Sequence, residues 1–249
     1  MNSTIETILH HRSIRKFTNE KLTKEQISLL VRSAQAASTS SYVQAYSIIG
    51  VTDTGKRKML AKLAGEQSYV EESGHFFVFC ADLYRHEKMG EWKQEDVTES
   101  LESTEKFLVA TIDAALAAQN MSIAAESLGL GICYIGGIRN HLAEVDKILG
   151  LPKRVIPLFG LCVGYPDHTS SHKQRLPEEH IYHENVYEIE EQVMKQQIAE
   201  YDEKISAYYE KRTNGRRKAG WSDQMVSMLA VPKRMDVKEY LLKKGYNKK

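Results

Sequence analysis

The sequence predicts a domain of mixed helices and strands, α+β or α/β in class. Three observations predict it. Residues 75–81 form an unbroken apolar run, HFFVFCA, as in a strand covered on both faces. Thr23 and Gln26 stand at capping-box spacing, and Ile27, Leu30, Val31 and Ala34 follow at the helical period. Residues 104–128 form a long apolar segment rich in alanine, closed by Gly129 and Gly131.

The other elements follow in order. Ser3 and Glu6 suggest an earlier capping box, with Ile5, Ile8 and Leu9 as the inner face of a short helix. A hydroxyl-rich turn over 38–41 precedes a strand over 46–51 and a helix over 56–64. Residues 87–102 carry many acids and few large apolar side chains, and read as an exposed, mobile segment. The small residues of the long helix, such as Ala110, Ala114, Ala117 and Ala118, let another helix come close. Strands are expected over 132–135 and 156–163. Beyond Asp167 the texture changes: 168–187 is irregular, and 189–210 is a charged helix with Ile198, Tyr201, Ile205 and Tyr208 on one side. A basic loop and a last helix from about residue 237 complete the chain. The expected organisation is a core over 1–165 and an extension over 166–249, parts of one domain. That extension is too thin in apolar residues to build its own core, so it is expected to wrap around the domain or a partner subunit.

Bulk properties exclude several classes. The 249 residues are 42% hydrophobic and 27% charged, enough to bury a sizeable core. A net charge of +1 gives little long-range attraction to nucleic acid or membrane, so neither is an expected partner. Cys80, Cys133 and Cys162 lie in separate apolar runs without a CxxC motif, and read as buried thiols of a reducing compartment. The first residues lack the apolar core of a signal peptide. The apolar stretch 107–130 is broken by Asp113, Gln119, Asn120, Ser122, Glu126 and Ser127, so it reads as a buried helix of a cytoplasmic protein.

Four clusters could carry chemistry. His11, Arg12, Ser13 and Arg15 can converge on an anion, because guanidinium forks match phosphate oxygens; a solvated helix end accounts for them as well. His172, Lys173 and Arg175 lie in irregular chain and could complete a phosphate cage, or be a solvated loop. Gly129 and Gly131 do not make a dinucleotide fingerprint, since they follow a helix and enter a strand. Gly136 and Gly137 end that strand, where bare backbone can lie against a flat ligand or simply turn. Residues 211–218 hold five basic side chains, open to readings as a solvated loop, a nucleic-acid patch or a clamp for the 2′-phosphate of NADPH. His180 and His183 come without HExxH or a cysteine pair, so no metal is expected. No GxSxG elbow is present.

With these residues laid out, the chain resembles the nitroreductase family. It is most similar to the NADPH-dependent, FMN-containing NfsA and flavin-reductase-P group and the NfrA proteins of Gram-positive bacteria. The matching stretches are TIETILHHRSIRKFT, SAQAASTSSYVQAYSIIG, HFFVFCADLYRH, DAALAAQNMSIAAESLGLGICYIGGIRN, PLFGLCVGYP, KQRLPEEHIYHEN and RRKAGWSD. The resemblance implies an α+β nitroreductase-like fold, with a central mixed, mostly antiparallel sheet flanked by helices. It also implies a domain-swapped homodimer with two FMN sites at the interface. By that resemblance His11, Arg12, Ser13, Lys173 and Arg175 hold the FMN phosphate, and Arg15 lies near flavin N1 and the C2 carbonyl. Thr39, where the family more often has serine, and Ser41 also belong to the site. Gln67 reads the polar edge of the ring. Tyr134, Ile135, Gly136 and Gly137 lie over N5 and O4. Arg15 and Gly136 carry the catalytic environment, and no general base is expected. Arg212 resembles the arginine on the NADPH 2′-phosphate, but the loop is one residue shorter, leaving Arg212, Arg216 and Arg217 as candidates.

The implied activity is an FMN-dependent NADPH oxidoreductase working by ping-pong transfer, with NADH a possible donor. Its small-molecule acceptors would be nitroaromatics, quinones or free flavins. The alternatives are a non-enzymatic flavin-binding or regulatory module, and an enzyme of another reaction class on the same fold, such as a dehalogenase.

Overall fold

The computed structural model describes residues 1–168 and 171–249. The chain forms two compact units: Met1–His172 with Arg234–Lys249, and Lys173–Lys233. Thr169 and Ser170, within the stretch expected to be irregular, lie outside the described residues.

The first unit is built on β1 (Tyr46–Val51), β2 (His75–Asp82), β3 (Gly131–Ile135) and β4 (Val155–Gly164), ordered β1-β2-β4-β3. Every pairing in this sheet is antiparallel. Among the described residues, the parallel component expected of a mixed sheet is confined to one isolated bridge, Ser13 to Ile132. Every residue of β2 is buried, which is why its sequence is continuous rather than alternating.

Around the sheet lie α1 (Ser3–Leu9), α2 (Lys24–Gln35), α3 (Thr54–Leu63), α4 (Tyr69–Glu72), α5 (Tyr84–Lys93), α6 (Thr98–Glu102), α7 (Thr104–Ser127) and α8 (Leu142–Leu149). The Thr23–Gln26 capping box forms as expected. The first helix differs: Asn2 is its cap, accepting from the Ile5 amide, and Ile5, Ile8 and Leu9 are exposed rather than turned inward. Residues 87–102 are also not loose chain. They fall in α5 and α6, joined by a left-handed Gln94 and seated by buried Gly90 and Leu101. Their apolar residues are too few to show a period, so sequence patterning misses them.

Helix α7 packs Ala117, Ala118, Met121 and Ala125 against Phe77 and Phe79 of β2, in one cluster with Leu30 and Ala34 of α2. The opposite sheet face buries Val78, Cys80, Cys133 and Cys162 against Leu60, Ala64 and Val145. All three thiols are free and buried. The chain returns to this unit through α11 (Val237–Lys244). Buried Arg154 anchors the return, with Nε 2.5 Å from Glu87 Oε1 and Nη1 donating to the Gly245 carbonyl at 2.9 Å. Tyr246 donates to the Arg154 carbonyl at 2.7 Å.

The second unit holds α9 (Glu191–Arg212) and α10 (Trp221–Leu229), the latter not anticipated from sequence. Asp202 of α9 accepts from the Ser222 amide at 2.8 Å and so holds the start of α10. Tyr201 packs edge-on against Trp221 and His180.

His75 is only 5% exposed, and burial beside Arg57 and Lys21 lowers its pKa to about 4. The folded protein therefore holds a neutral imidazole that the unfolded chain protonates near pH 6.5. Stability is then fully present above pH 6.5 and is lost as pH falls toward 4. Urea titrations of the wild type should show about 2 kcal/mol less stability at pH 5 than at pH 7.5 from this group. The H75F variant should lack that component; an unchanged pH slope would remove His75 as its source.

Candidate functional site

The stretch 11–15 leaves α1 and runs alongside β3. The Ile14 amide donates to the Ile132 carbonyl at 2.8 Å. Gly131 allows this approach, since a Cβ there would stand 2.6 Å from Ile14. His11 Nδ1 donates to Glu126 Oε1 at 2.7 Å, fixing the imidazole against the C-terminal end of α7. Arg12 borders a cavity of about 430 Å³ shared with His10, Glu126, Gly129 and Pro166.

Arg15 reaches a different neighbourhood. It lies beside Tyr69 and Cys133: burial raises both their pKa values, and the guanidinium opposes the rise. Tyr69 donates to Gln67 Oε1 at 2.8 Å, and Gln67 Nε2 donates to the Ala64 carbonyl at 2.8 Å. The Ala64 carbonyl in turn packs on Gly137, where any Cβ would collide with it. Arg15, Gln67 and Gly137, far apart in sequence, thus form one polar edge, with bare backbone at the end of β3. Tyr69 is the member sequence reasoning missed, because a tyrosine at a short helix start carries no pattern of its own. Gly136 and Gly137 open a 3-10 turn over Gly136–His141, directly after Ile135. Tyr134 accepts from Ser122 at 2.9 Å, and burial raises its pKa.

Thr39 and Ser41 stand elsewhere. The Ser40 and Ala45 amides donate to the two oxygens of buried Asp113, at 2.9 and 3.0 Å. Ser41, Tyr42 and Gln44 adopt positive φ in this loop. Asp113 precedes Glu126 by thirteen residues, about 20 Å along α7. One chain therefore presents its candidate groups in two separate places.

The second unit brings together the remaining cations. Lys173 Nζ lies 5.8 Å from the Tyr209 ring centroid, and the Arg217 guanidinium lies 4.4 Å from it. Arg217 also donates to Gln224 Oε1. Arg212 donates to the Tyr208 hydroxyl at 3.1 Å, and Arg216 Nε donates to the Thr213 carbonyl at 3.2 Å. Arg175 lies near Tyr201, whose hydroxyl donates to the Gln174 carbonyl at 3.1 Å. Among the described residues no cluster of histidine, cysteine and carboxylate groups could hold a metal ion.

These features define a class: an α+β protein with clustered guanidinium and amide donors beside a glycine turn, suited to a flat, anionic ligand. Residues 8–165 match the nitroreductase family, and residues 173–249 match the nitroreductase family, C-terminal domain. The chain is 58% identical over 248 residues to the FMN reductase (NADPH) of Bacillus subtilis, covering 100% of both. It superposes on NfrA1 of B. megaterium with a TM-score of 0.98 at 58% identity, over 99% of this chain and 100% of that one. It matches the NADPH:FMN oxidoreductase of Vibrio harveyi, solved with NAD+, with a TM-score of 0.90 at 43% identity over 100% of each chain. The chain belongs to the nitroreductase family.

Ala64 and Gly137 allow a separate test of the turn. Gly137→Ala should lower stability by about 1–3 kcal/mol through the forced backbone shift. Gly136→Ala should be near neutral, since its Cβ would meet only Arg139 Nη2 at 3.5 Å. Thermal denaturation of the two variants would show the difference; equal effects would mean the turn is not sterically set by Ala64.

Proposed function

We propose that this protein is an FMN-dependent NADPH oxidoreductase, reducing small acceptors such as nitroaromatics, quinones or free flavins. The observation that carries this reading is the polar edge of Arg15, Tyr69 and Gln67 against the bare backbone of Gly137, in a chain of the nitroreductase family. When bound, FMN supplies the two-electron chemistry, accepting hydride from the donor and passing it on.

The chain's residues bind and polarise. Arg12, Ser13 and His11 hold the phosphate end, and Lys173 and Arg175 join them. Arg15 sets a fixed positive charge at the N1 and C2-carbonyl edge, where negative charge develops, and such preorganised charge is a large catalytic contribution. Gln67 reads the same edge. The backbone from Tyr134 through Ile135, Gly136 and Gly137 would face the N5 and O4 edge of the bound flavin. No general base is needed, because no side chain must remove a proton for hydride transfer. Arg212, Arg216 and Arg217 discriminate NADPH from NADH at its 2′-phosphate.

The protein works as a homodimer. Leu108, Ile112 and Leu116 are 49%, 50% and 43% exposed and recur every fourth residue along α7. Ile5, Ile8 and Leu9 are also exposed, on α1, which packs against α7. In the dimer α7 packs against its copy through this stripe. Thr39 and Ser41 of the partner subunit then complete the site at His11–Arg15. Within the extension, the part before Arg234 completes the phosphate site and wraps the partner, since Arg234–Lys249 belongs to the first unit. The three free thiols suit a cytoplasmic setting.

The purified protein should be yellow, and NADPH should bleach it faster than NADH does. A colourless protein that cannot be reconstituted with FMN would overturn the reading. R15M should slow bleaching by NADPH roughly tenfold or more. Ile112→Glu should convert the dimer to monomer by sedimentation and release FMN; a dimer that persists would remove the α7 stripe as the interface.

A further inference from the structure

Tyr209 lies on α9, about two turns after Tyr201 on the same helix. Its ring is approached by two cations from separate stretches of sequence, Lys173 and Arg217. The chain around it is held on both sides. The Tyr209 carbonyl accepts from Thr213 Oγ1 at 2.7 Å, and the Arg217 amide donates to that same Oγ1 at 3.0 Å. Thr213 thus folds the basic loop back over the ring at the end of α9. Arg217 is fixed further by Gln224 of α10. Lys218 pairs with Glu210 at 2.6 Å, closing the loop on the helix again.

We infer that Tyr209 is a positioning residue that couples the grip on the FMN phosphate to the grip on the NADPH 2′-phosphate. The inference rests on the reading above, in which Lys173 serves the first phosphate and the 211–218 loop the second. Both stretches use one aromatic ring as their anchor. The electron-rich face attracts each cation and holds it where an anion can be met. Without the ring, Lys173 loses its seat and Arg217 keeps only Gln224 and its backbone bond to Thr213. The two sites then loosen together, although their residues are separated by more than thirty positions in sequence.

The phenol hydroxyl has no part in this, so phenylalanine should serve as well as tyrosine. The test is Tyr209→Leu beside Tyr209→Phe in the FMN-loaded protein. The leucine variant should bind FMN about two- to fivefold more weakly, read by recovery of flavin fluorescence on dilution. It should raise KM for NADPH by a similar factor while leaving KM for NADH and kcat near wild type. The phenylalanine variant should match wild type in both readouts, and circular dichroism should show all variants folded.

K173A and R217A separate the inference from its foundation. If K173A leaves FMN affinity unchanged and R217A leaves KM for NADPH unchanged, the assignment of those phosphates fails. If both act but Tyr209→Leu moves neither quantity, or moves only one, the coupling through Tyr209 is wrong. A phenylalanine variant that behaves like leucine would also overturn it, since the ring face would then not be the operative feature.

Discussion

The site depends on one helix acting as a ruler. α7 carries Asp113 near its middle and Glu126 near its end, and each carboxylate holds a separate stretch of chain. Burying Asp113 removes a charge from water, which is costly unless its oxygens are satisfied. Two backbone amides from the 39–45 loop do that, at 2.9 and 3.0 Å. The same bonds offset the strain of three non-glycine residues at positive φ in that loop. Glu126 fixes His11 at the other end. Because the helix is internally hydrogen-bonded and seated on the sheet, these anchors keep a fixed spacing.

That seating explains the composition of α7. Phe77 and Phe79 fill the space above the sheet, so the helix can approach only with alanines at 117, 118 and 125. Larger residues face outward instead, as Leu108, Ile112 and Leu116 do. Its apolarity, enough by length and composition to cross a membrane, therefore serves packing on the sheet on one side. A similar economy of side chains operates at β3. Gly131 admits Ile14 and Gly137 admits Ala64, so two segments lie against the strand where any Cβ would keep them off. The polar edge at Arg15 and Gln67 is thus assembled by backbone packing before any ligand arrives.

Much of the fold was legible in the sequence, and physical reasons separate what was from what was not. The continuous run of β2 and the Thr23 box each encode their structure locally. The α5–α6 segment does not, because it is held by single buried residues and a left-handed Gln94 rather than by a periodic face. The first cap moved one residue, from Ser3 to Asn2, because either side chain can serve an amide three positions on. Within the candidate site, spacing alone left the 11–15 cluster balanced between helix end and anion cradle. Family resemblance, not periodicity, separated Arg12 from Arg15. The geometry then adds what resemblance left unspecified: Arg15 stands with Tyr69 and Cys133, whereas His11 stands with Glu126.

The two units hold their basic side chains by different means, and this bears on how the chemistry can vary. In the first unit His11 is fixed by a carboxylate of the core helix, and the polar edge is fixed by glycine packing. A change at those positions disturbs the fold itself. In the second unit Arg212, at the end of α9, and Arg216 and Arg217, on the loop after it, are exposed, and are held by tyrosine faces, a hydroxyl, a glutamine and a carbonyl. Surface substitutions of this kind usually alter stability by less than 0.5 kcal/mol. Under the proposed assignment of these arginines, selectivity for a phosphorylated donor would shift by substitutions there while the sheet and α7 stay as they are. The near-neutral net charge fits this arrangement. Attraction for anions is concentrated in short cationic stretches that act at contact range, where a Debye length of about 8 Å leaves them effective.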